Sequence, residues 1–457
     1  MPKAVILWLK KKITTQRHSP MDTKVLNILE GMKSFLTASL SKRETYFTSL
    51  KAFTRLRKFG LHNLAFFLIF QPKRSLTIEL NDFYSNQSGK NAIAKSSFSK
   101  ARYLLRHELL KDWNDCFCQL VYGESGPRLH RWKGFHLKGI DGTTVYLFQD
   151  EEVAKEFGSQ SNQYVSKPMA RAGYEMDLLN GFVTQSWLGP LSQGEQVFAA
   201  EFLKHSKPGD MRIYDRYFAS YDLIFQHLNK GVEFTMRTSI SFNNVVIKFV
   251  NSGKQQSIVE FPITDKAFKS LNGQGFEVSK QDTVKVRLLR IDIGQDEPEI
   301  LITSLLNVRK YPHSCFKELY NYRWGSETCF DKVKNKLQME CFSGLKVEAI
   351  YQDFFSTVIA ANLHTLVVNS CDRELEKINV HRETWGEVNQ NVSIGLLKAR
   401  LVQLFYCNKP QKILDELQAL FLKNLEPVRP GRSFPRTKPI RRLKGKYQTF
   451  KNYKRAV

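Results

Sequence analysis

Apolar residues in the first quarter of the chain recur at helical spacing: Val25, Leu26, Ile28 and Leu29, then Met32, Phe35 and Leu36. From about 130 the period shortens. Phe135 to Ile140 reads as a strand stopped by Asp141-Gly142, and Thr143 to Phe148 and Gly181 to Leu188 are β-branched and aromatic. Ser192 and Glu195 have capping-box spacing and open a helix expected to run through Leu203. A turn at Pro208-Gly209-Asp210 leads into a strand from Met211 to Tyr214, which ends at Asp215. Strand patterns return at Val232–Arg237, Asn244–Val250, Ser257–Pro262, Thr283–Ile293 and Glu299–Ser304, with turns at Ser252-Gly253 and Asn272-Gly273. After 312 the helical period resumes and holds to about 425. Beyond it the prolines at 427, 430, 435 and 439 predict an extended tail. No internal repeat is visible. This order predicts an α/β fold, a mixed sheet with helices packed on it.

Composition narrows the class. The chain has 457 residues, 42% hydrophobic and 12% aromatic, enough for a large core. The apolar run from Leu64 to Phe70 is far shorter than the roughly 20 residues of a bilayer span. Lys10, Lys11 and Lys12 follow the first short apolar run, the reverse of a signal peptide's order. A cytoplasmic protein that enters no membrane is expected. The seven cysteines include no C-x-x-C pair, so free thiols are expected rather than a zinc site.

The net charge of +25 is uneven along the chain. Residues 1–125 carry 21 Lys+Arg against 9 Asp+Glu, a net of +12. Residues 424–457 carry 11 against 1, a net of +10, while residues 231–305 carry 9 of each. Two basic ends around a neutral insert suggest two nucleic-acid contact regions. Within the first, Ser96-Ser97-Phe98-Ser99 precedes a basic helical pattern with Lys100, Arg102 and Arg106. It could be a capped recognition helix of a helix-turn-helix, or an ordinary amphipathic helix with a solvated face.

Candidate chemistry reduces to acids. There is no G-x-S-x-G, no G-x-x-x-x-G-K and no H-E-x-x-H, and the ten histidines lack ligand spacing. Asp141 and Asp215 each stand at a predicted strand end. Alone, Asp141-Gly142 is a turn signal and Asp215-Arg216 a surface pair. Tyr320, Arg323, Glu327 and Lys334 follow at offsets that an α-helix places at roughly 0°, 300°, 340° and 320°, one stripe about 60° wide. Such a stripe could also be a solvated face with i,i+4 support.

The spacing Y-x2-R-x3-E-x6-K resembles the signature of the DDE transposases of insertion-sequence family four. Gly139-Ile140-Asp141-Gly142-Thr143-Thr144 resembles that family's first aspartate block, and Tyr214-Asp215-Arg216-Tyr217-Phe218 its second. The likeness covers roughly residues 95–370. Two departures stand out. Tyr217 replaces the usual glycine, and residues 231–305 hold no tryptophan to stack on a flipped base, though Phe234, Phe242 or Phe249 could substitute.

The resemblance implies an RNase H-like catalytic domain (130–230 and 306–375) interrupted by a β-rich insertion (231–305). A helical basic DNA-binding region (1–125) precedes it, and a helical region with a basic tail (376–457) follows. It implies catalysis by Asp141, Asp215 and Glu327 on two Mg²⁺ ions about 3.5–4 Å apart, with Mn²⁺ as a substitute. Asp141 would bridge both ions, and Asp215 and Glu327 would each close one. Tyr320, Arg323, Lys334, Arg216, Lys100, Arg102 and Arg106 would contact DNA. The implied function is cleavage at element ends and strand transfer into target DNA, by a homodimer near the bacterial nucleoid. A non-catalytic repressor derived from a transposase and a nuclease that does not join ends remain as alternatives.

Overall fold

The computed structural model describes residues 21–429, apart from 56–57, 72, 88–91, 124–125, 127, 162, 164 and 293–297. Most of the expected basic tail, from 430 onward, lies outside the described residues. The centre of the fold is a nine-stranded mixed sheet. Its strands are β1 (His136–Tyr146), β2 (Ser159–Ser161), β3 (Ser166–Asp177), β4 (Val183–Pro190), β5 (Asp210–Tyr214), β6 (Glu233–Thr238), β7 (Gln256–Pro262), β8 (Thr283–Ile291) and β9 (Glu299–Thr303). They lie in the order β2-β3-β1-β5-β6-β9-β8-β7, with β4 on β3. β1, β5 and β6 are parallel, and every other pairing is antiparallel.

The two sheet faces alternate along each strand, as the pleat requires. Ile140, Tyr214 and Met236 meet Phe198 and Phe202 of the Glu195–Lys204 helix on one face. Leu137, Met211 and Ile213 meet Phe316, Leu319 and Tyr320 of the Cys315–Asn321 helix on the other.

Three expectations change. β1 does not stop at Asp141-Gly142 but runs through it, paired with β3 from Lys138↔Asp177 to Tyr146↔Met169. The break lies in its other neighbour, because pairing with β5 ends at Gly139↔Ile213. Asn244–Val250 is a helix (Asn244–Asn251): the Asn243 side chain caps it, and Val246 and Phe249 are buried three apart. The neutral segment is not set apart from the core, because β9, β8 and β7 continue the same sheet from β6.

The helical half is equally continuous. The Val347–Ser370 helix is buried along most of its length and shares one core with the helices of the first hundred residues. Asn362 donates to Asn114 Oδ1 at 2.7 Å and accepts from the Val183 N–H at 2.7 Å, fastening three distant segments together. The boundary expected near 125 therefore does not divide the core. No single helix among the described residues is long and apolar enough to cross a membrane.

Candidate active site

Where β1 outruns β5, the sheet has a notch, and the acids gather round it. Asp141 lies on β1, one pleat beyond the last residue paired with β5. Its Oδ1 accepts the Gly142 N–H at 2.8 Å. Asp215 follows the last residue of β5 and caps the 3₁₀ turn Arg216–Phe218, its Oδ1 accepting from the Arg216 N–H at 2.5 Å. That turn needs no glycine, since Tyr217 does not have positive φ. Glu327 belongs to the short Trp324–Phe330 helix. This helix sits close to β1 because residue 139 is glycine: a Cβ there would lie 2.4 Å from Ser326 Oγ.

The expected uninterrupted helix from 320 to 334 is three pieces: Cys315–Asn321, Trp324–Phe330 and a π-helical turn Asp331–Lys336. The stripe survives only in part. Tyr320 and Arg323 are nearly buried, and Arg323 reaches Glu327 at 3.4 Å while its guanidinium lies over Trp324 at 4.8 Å. Burial works against the Arg323 charge, but Tyr320, Asp215, Glu327 and Asp141 outweigh it and raise its pKa. One guanidinium is thus within the field of all three acids. Arg323 Nε and Tyr320 Oη are buried without a hydrogen-bond partner. Lys334 stands apart: its Nζ donates to the Thr144 carbonyl at 2.9 Å and pairs with Glu340 at 3.3 Å. The π turn moves it along β1, beyond the acids.

Electrostatics at the notch centre on Asp141. Burial pushes the Asp141 carboxyl up to about 6, the Gly142 N–H opposes this, and the charges of Glu195 and Asp215 add to it. Carboxylate oxygens are the donors that hard divalent cations take, so the residue types fit such ions. The ligand atoms of the three acids do not all lie within 4.8 Å of one another. Among the described residues the group that meets this limit is His107, Glu108 and Glu348, in the helical half.

The remaining predicted contacts separate. Arg216 is exposed beside Asp215, and Lys100 and Arg106 are exposed on the helical half. Lys100 lines a cleft with Lys51, Arg55, Lys58, Thr54 and Ser97. Arg102 is withdrawn from the DNA-facing set because it is 4% exposed and its donors are spent internally. They reach Gln352 at 2.7 Å, Asp353 at 2.8 Å, Ser343 and the Ala349 carbonyl. The serines 96, 97 and 99 do not cap. The helix is Lys95–Tyr103, its N-cap is Ala94, and no side chain bonds there.

Sequence reasoning missed two acids at the notch. Glu299 of β9, ion-paired with Arg237 at 2.9 Å, lies within the field of Arg323 and Asp215. Glu195 was given to a capping box, yet Gly194 is the N-cap and the Glu195 carboxylate turns to Arg171 at 3.2 Å. The spacing S-x-x-E fits both uses, so no local signal could separate them.

Residues 140–363 match the family described as transposase DDE domain, and this span encloses Asp141, Asp215 and Glu327. The chain is 22% identical over 275 residues to transposase InsG for insertion sequence element IS4 of Escherichia coli (strain K12). That match covers 59% of this chain and 60% of the relative's length. A piggyBac transposase synaptic complex with hairpin DNA aligns over 93% of this chain and 89% of its own, at 11% identity and a TM-score of 0.40. The acid order and the Y-R-E-K spacing thus fall inside a span similar to the transposase DDE domain and to an insertion-sequence IS4 transposase.

Proposed function

We propose that this protein cleaves DNA at the ends of an insertion element and joins the freed 3′ ends to target DNA. The observation that carries the reading is the notch itself. Three acids from separate segments all lie within the field of one buried guanidinium, that of Arg323. The strand order β4-β3-β1-β5-β6, antiparallel among the first three and parallel among the last three, supports an RNase H-like core extended by β9, β8 and β7.

Asp141, Asp215 and Glu327 would hold two Mg²⁺ or Mn²⁺ ions, which when bound supply the charge that activates the attacking oxygen and stabilises the leaving one. The chain's own residues do the rest. Arg323, with a buried N–H unspent, holds the phosphate beside the scissile bond, and the unpartnered Tyr320 hydroxyl fixes the strand. Lys334 and Arg216 contact the backbone to either side. Lys100 and Arg106 extend the footprint across the helical half, which sits on the same core as the notch and so fixes the distance between bound end and cleaved bond. Two element ends handled together call for two copies of the chain, at the nucleoid in the cytoplasm.

Incubation with element-end duplex and Mg²⁺ or Mn²⁺, resolved for nicked, cleaved and joined products, tests the reading. Cleaved and joined products are expected. Cleavage without joining reduces the function to a nuclease, and binding without either reduces it to a repressor.

A further inference from the structure

Among the described residues, Glu195 is a carboxylate near the notch that comes from the opposite face of the sheet. Asp141 points toward the Trp324–Phe330 helix, so by the two-residue period of a strand Gly142 points toward the Glu195–Lys204 helix. A Cβ at Gly142 would lie 2.6 Å from Glu195 Cδ and 2.7 Å from Oε1. Across the register from Gly142, a Cβ at Gly173 would meet the Phe198 ring at 2.6 Å. The pair of glycines lets the first turn of this helix press onto the sheet, and what it delivers there is an acid. The glycines at 139 and 142 thus admit one helix from each face, with Asp141 between them.

We propose that Glu195 is a fourth carboxylate of the notch, a positioning residue for the divalent cations that Arg171 holds in place. The inference rests on the metal-dependent reading above and deepens it.

The Arg171–Glu195 pair is not a finished structural contact. The two meet through a single bond at 3.2 Å, Glu195 makes no cap, and the buried Arg171 Nε has no partner. The charge of Glu195 acts on Asp141 and that of Asp215 acts on Glu195, so the three acids repel one another across the notch. A purely architectural acid would gain nothing from that position. With cations present, Glu195 can bind an ion-held water or the ion itself beside Asp141, while Arg171 keeps its carboxylate from turning outward to solvent.

The test is Mn²⁺ binding by the full chain without DNA, followed through loss of the free-ion paramagnetic resonance signal. Glu195→Gln keeps the size and the Arg171 contact but removes the charge. It should weaken Mn²⁺ binding about 10-fold or more, in the range found for residues that support metal ligands, and Glu195→Asp should recover part of the loss. Arg171→Gln lets the Glu195 carboxylate turn outward and should weaken Mn²⁺ binding in the same direction as Glu195→Gln, though by less. Asp141→Asn is the reference. If Asp141→Asn loses Mn²⁺ and Glu195→Gln binds as wild type, Glu195 is only a partner of Arg171 and the inference fails. If Glu195→Gln does not fold, Glu195→Asp and Arg171→Gln decide: wild-type Mn²⁺ binding by both overturns the inference. If neither Asp141→Asn nor Glu195→Gln changes binding, the metal reading of the notch itself is wrong.

Discussion

Two arginines of this protein each face a carboxylate, Arg102 in the helical half and Arg323 at the notch. Arg102 meets Asp353 at 2.8 Å, and its Nε and both terminal nitrogens find acceptors on Gln352, Ser343 and Ala349 as well. Arg323 meets Glu327 at 3.4 Å, and its buried Nε has no acceptor. Glu327 is 42% exposed at its side chain, whereas Asp353 is wholly buried. The chemistry of the pairs is the same and their completeness is not. A closed network holds segments together, and an open one keeps donors for something that arrives later.

The strongest way to sharpen that contrast is at the open site. Asp141→Ala, Asp215→Ala and Glu327→Ala should each bring cleavage to background while end-DNA binding persists in a gel shift, because carboxylates hold cations and repel phosphate. Near wild-type cleavage by one variant would remove that residue from the centre.

At the closed site the loss should be in folding. Arg102→Ala leaves Asp353 buried and unpaired, at a cost of about 3–5 kcal/mol, read as a shift of the urea midpoint. The salt dependence of DNA binding by the folded protein should not change. A lowered salt slope with unchanged stability would return Arg102 to the DNA contacts.

Asp141 shows the opposite balance. Its carboxyl is raised from 3.8 to about 6 by burial. Between those values the folded chain keeps the proton and the unfolded chain has lost it, so stability falls as pH rises through the window. Asp141→Asn removes the penalty. Without divalent cations it should be more stable than wild type above pH 6, by at most about 3 kcal/mol at about 1.4 per pH unit, and equal to it near pH 4. Thermal unfolding in chelator at both pH values checks the sign.

Arg323→Ala should cost less stability than Arg102→Ala, because its pair with Glu327 is long and Glu327 is half exposed. It should lower the log–log salt slope of end binding by about 1 and cut single-turnover cleavage further than binding. Lys100→Ala and Arg106→Ala should move the slope by about the same amount and leave cleavage of bound DNA unchanged.

The elements that local pattern decides were legible. Met211–Tyr214 and Thr283–Ile291 are strands where alternation and β-branching place them. The three acids and Arg323 come from the resemblance of their spacing to a known signature, since each alone reads as a turn, a surface pair or a solvated face. What failed depended on partners remote in sequence. Asp353 lies 251 positions from Arg102, and nothing around Arg102 announces a buried acid. Val-Val-Ile in Asn244–Asn251 favours strand intrinsically, but the Asn243 cap and the buried Val246 and Phe249 made it a helix. Asp141-Gly142 looked like a turn because its glycine serves the close approach of Glu195, a relation between β1 and a helix more than fifty residues away.

The burial of Val347–Ser370 against the first helices also sets an order of events during synthesis. Residues 21–122 emerge first, yet their core is completed by a helix ending at 370. At about 5–20 residues per second, the 248 intervening residues take roughly 12–50 s to appear. For that interval the aromatic-rich Leu61–Phe70 segment, almost entirely buried in the finished protein, has Phe59, Phe83 and Phe98 beside it but lacks the cover of the Val347–Ser370 helix. Newly made chains are then substrates for chaperones and proteases. A nascent chain stalled near residue 330 should be cut readily within 21–122, and one stalled beyond 423 with the tunnel cleared should resist.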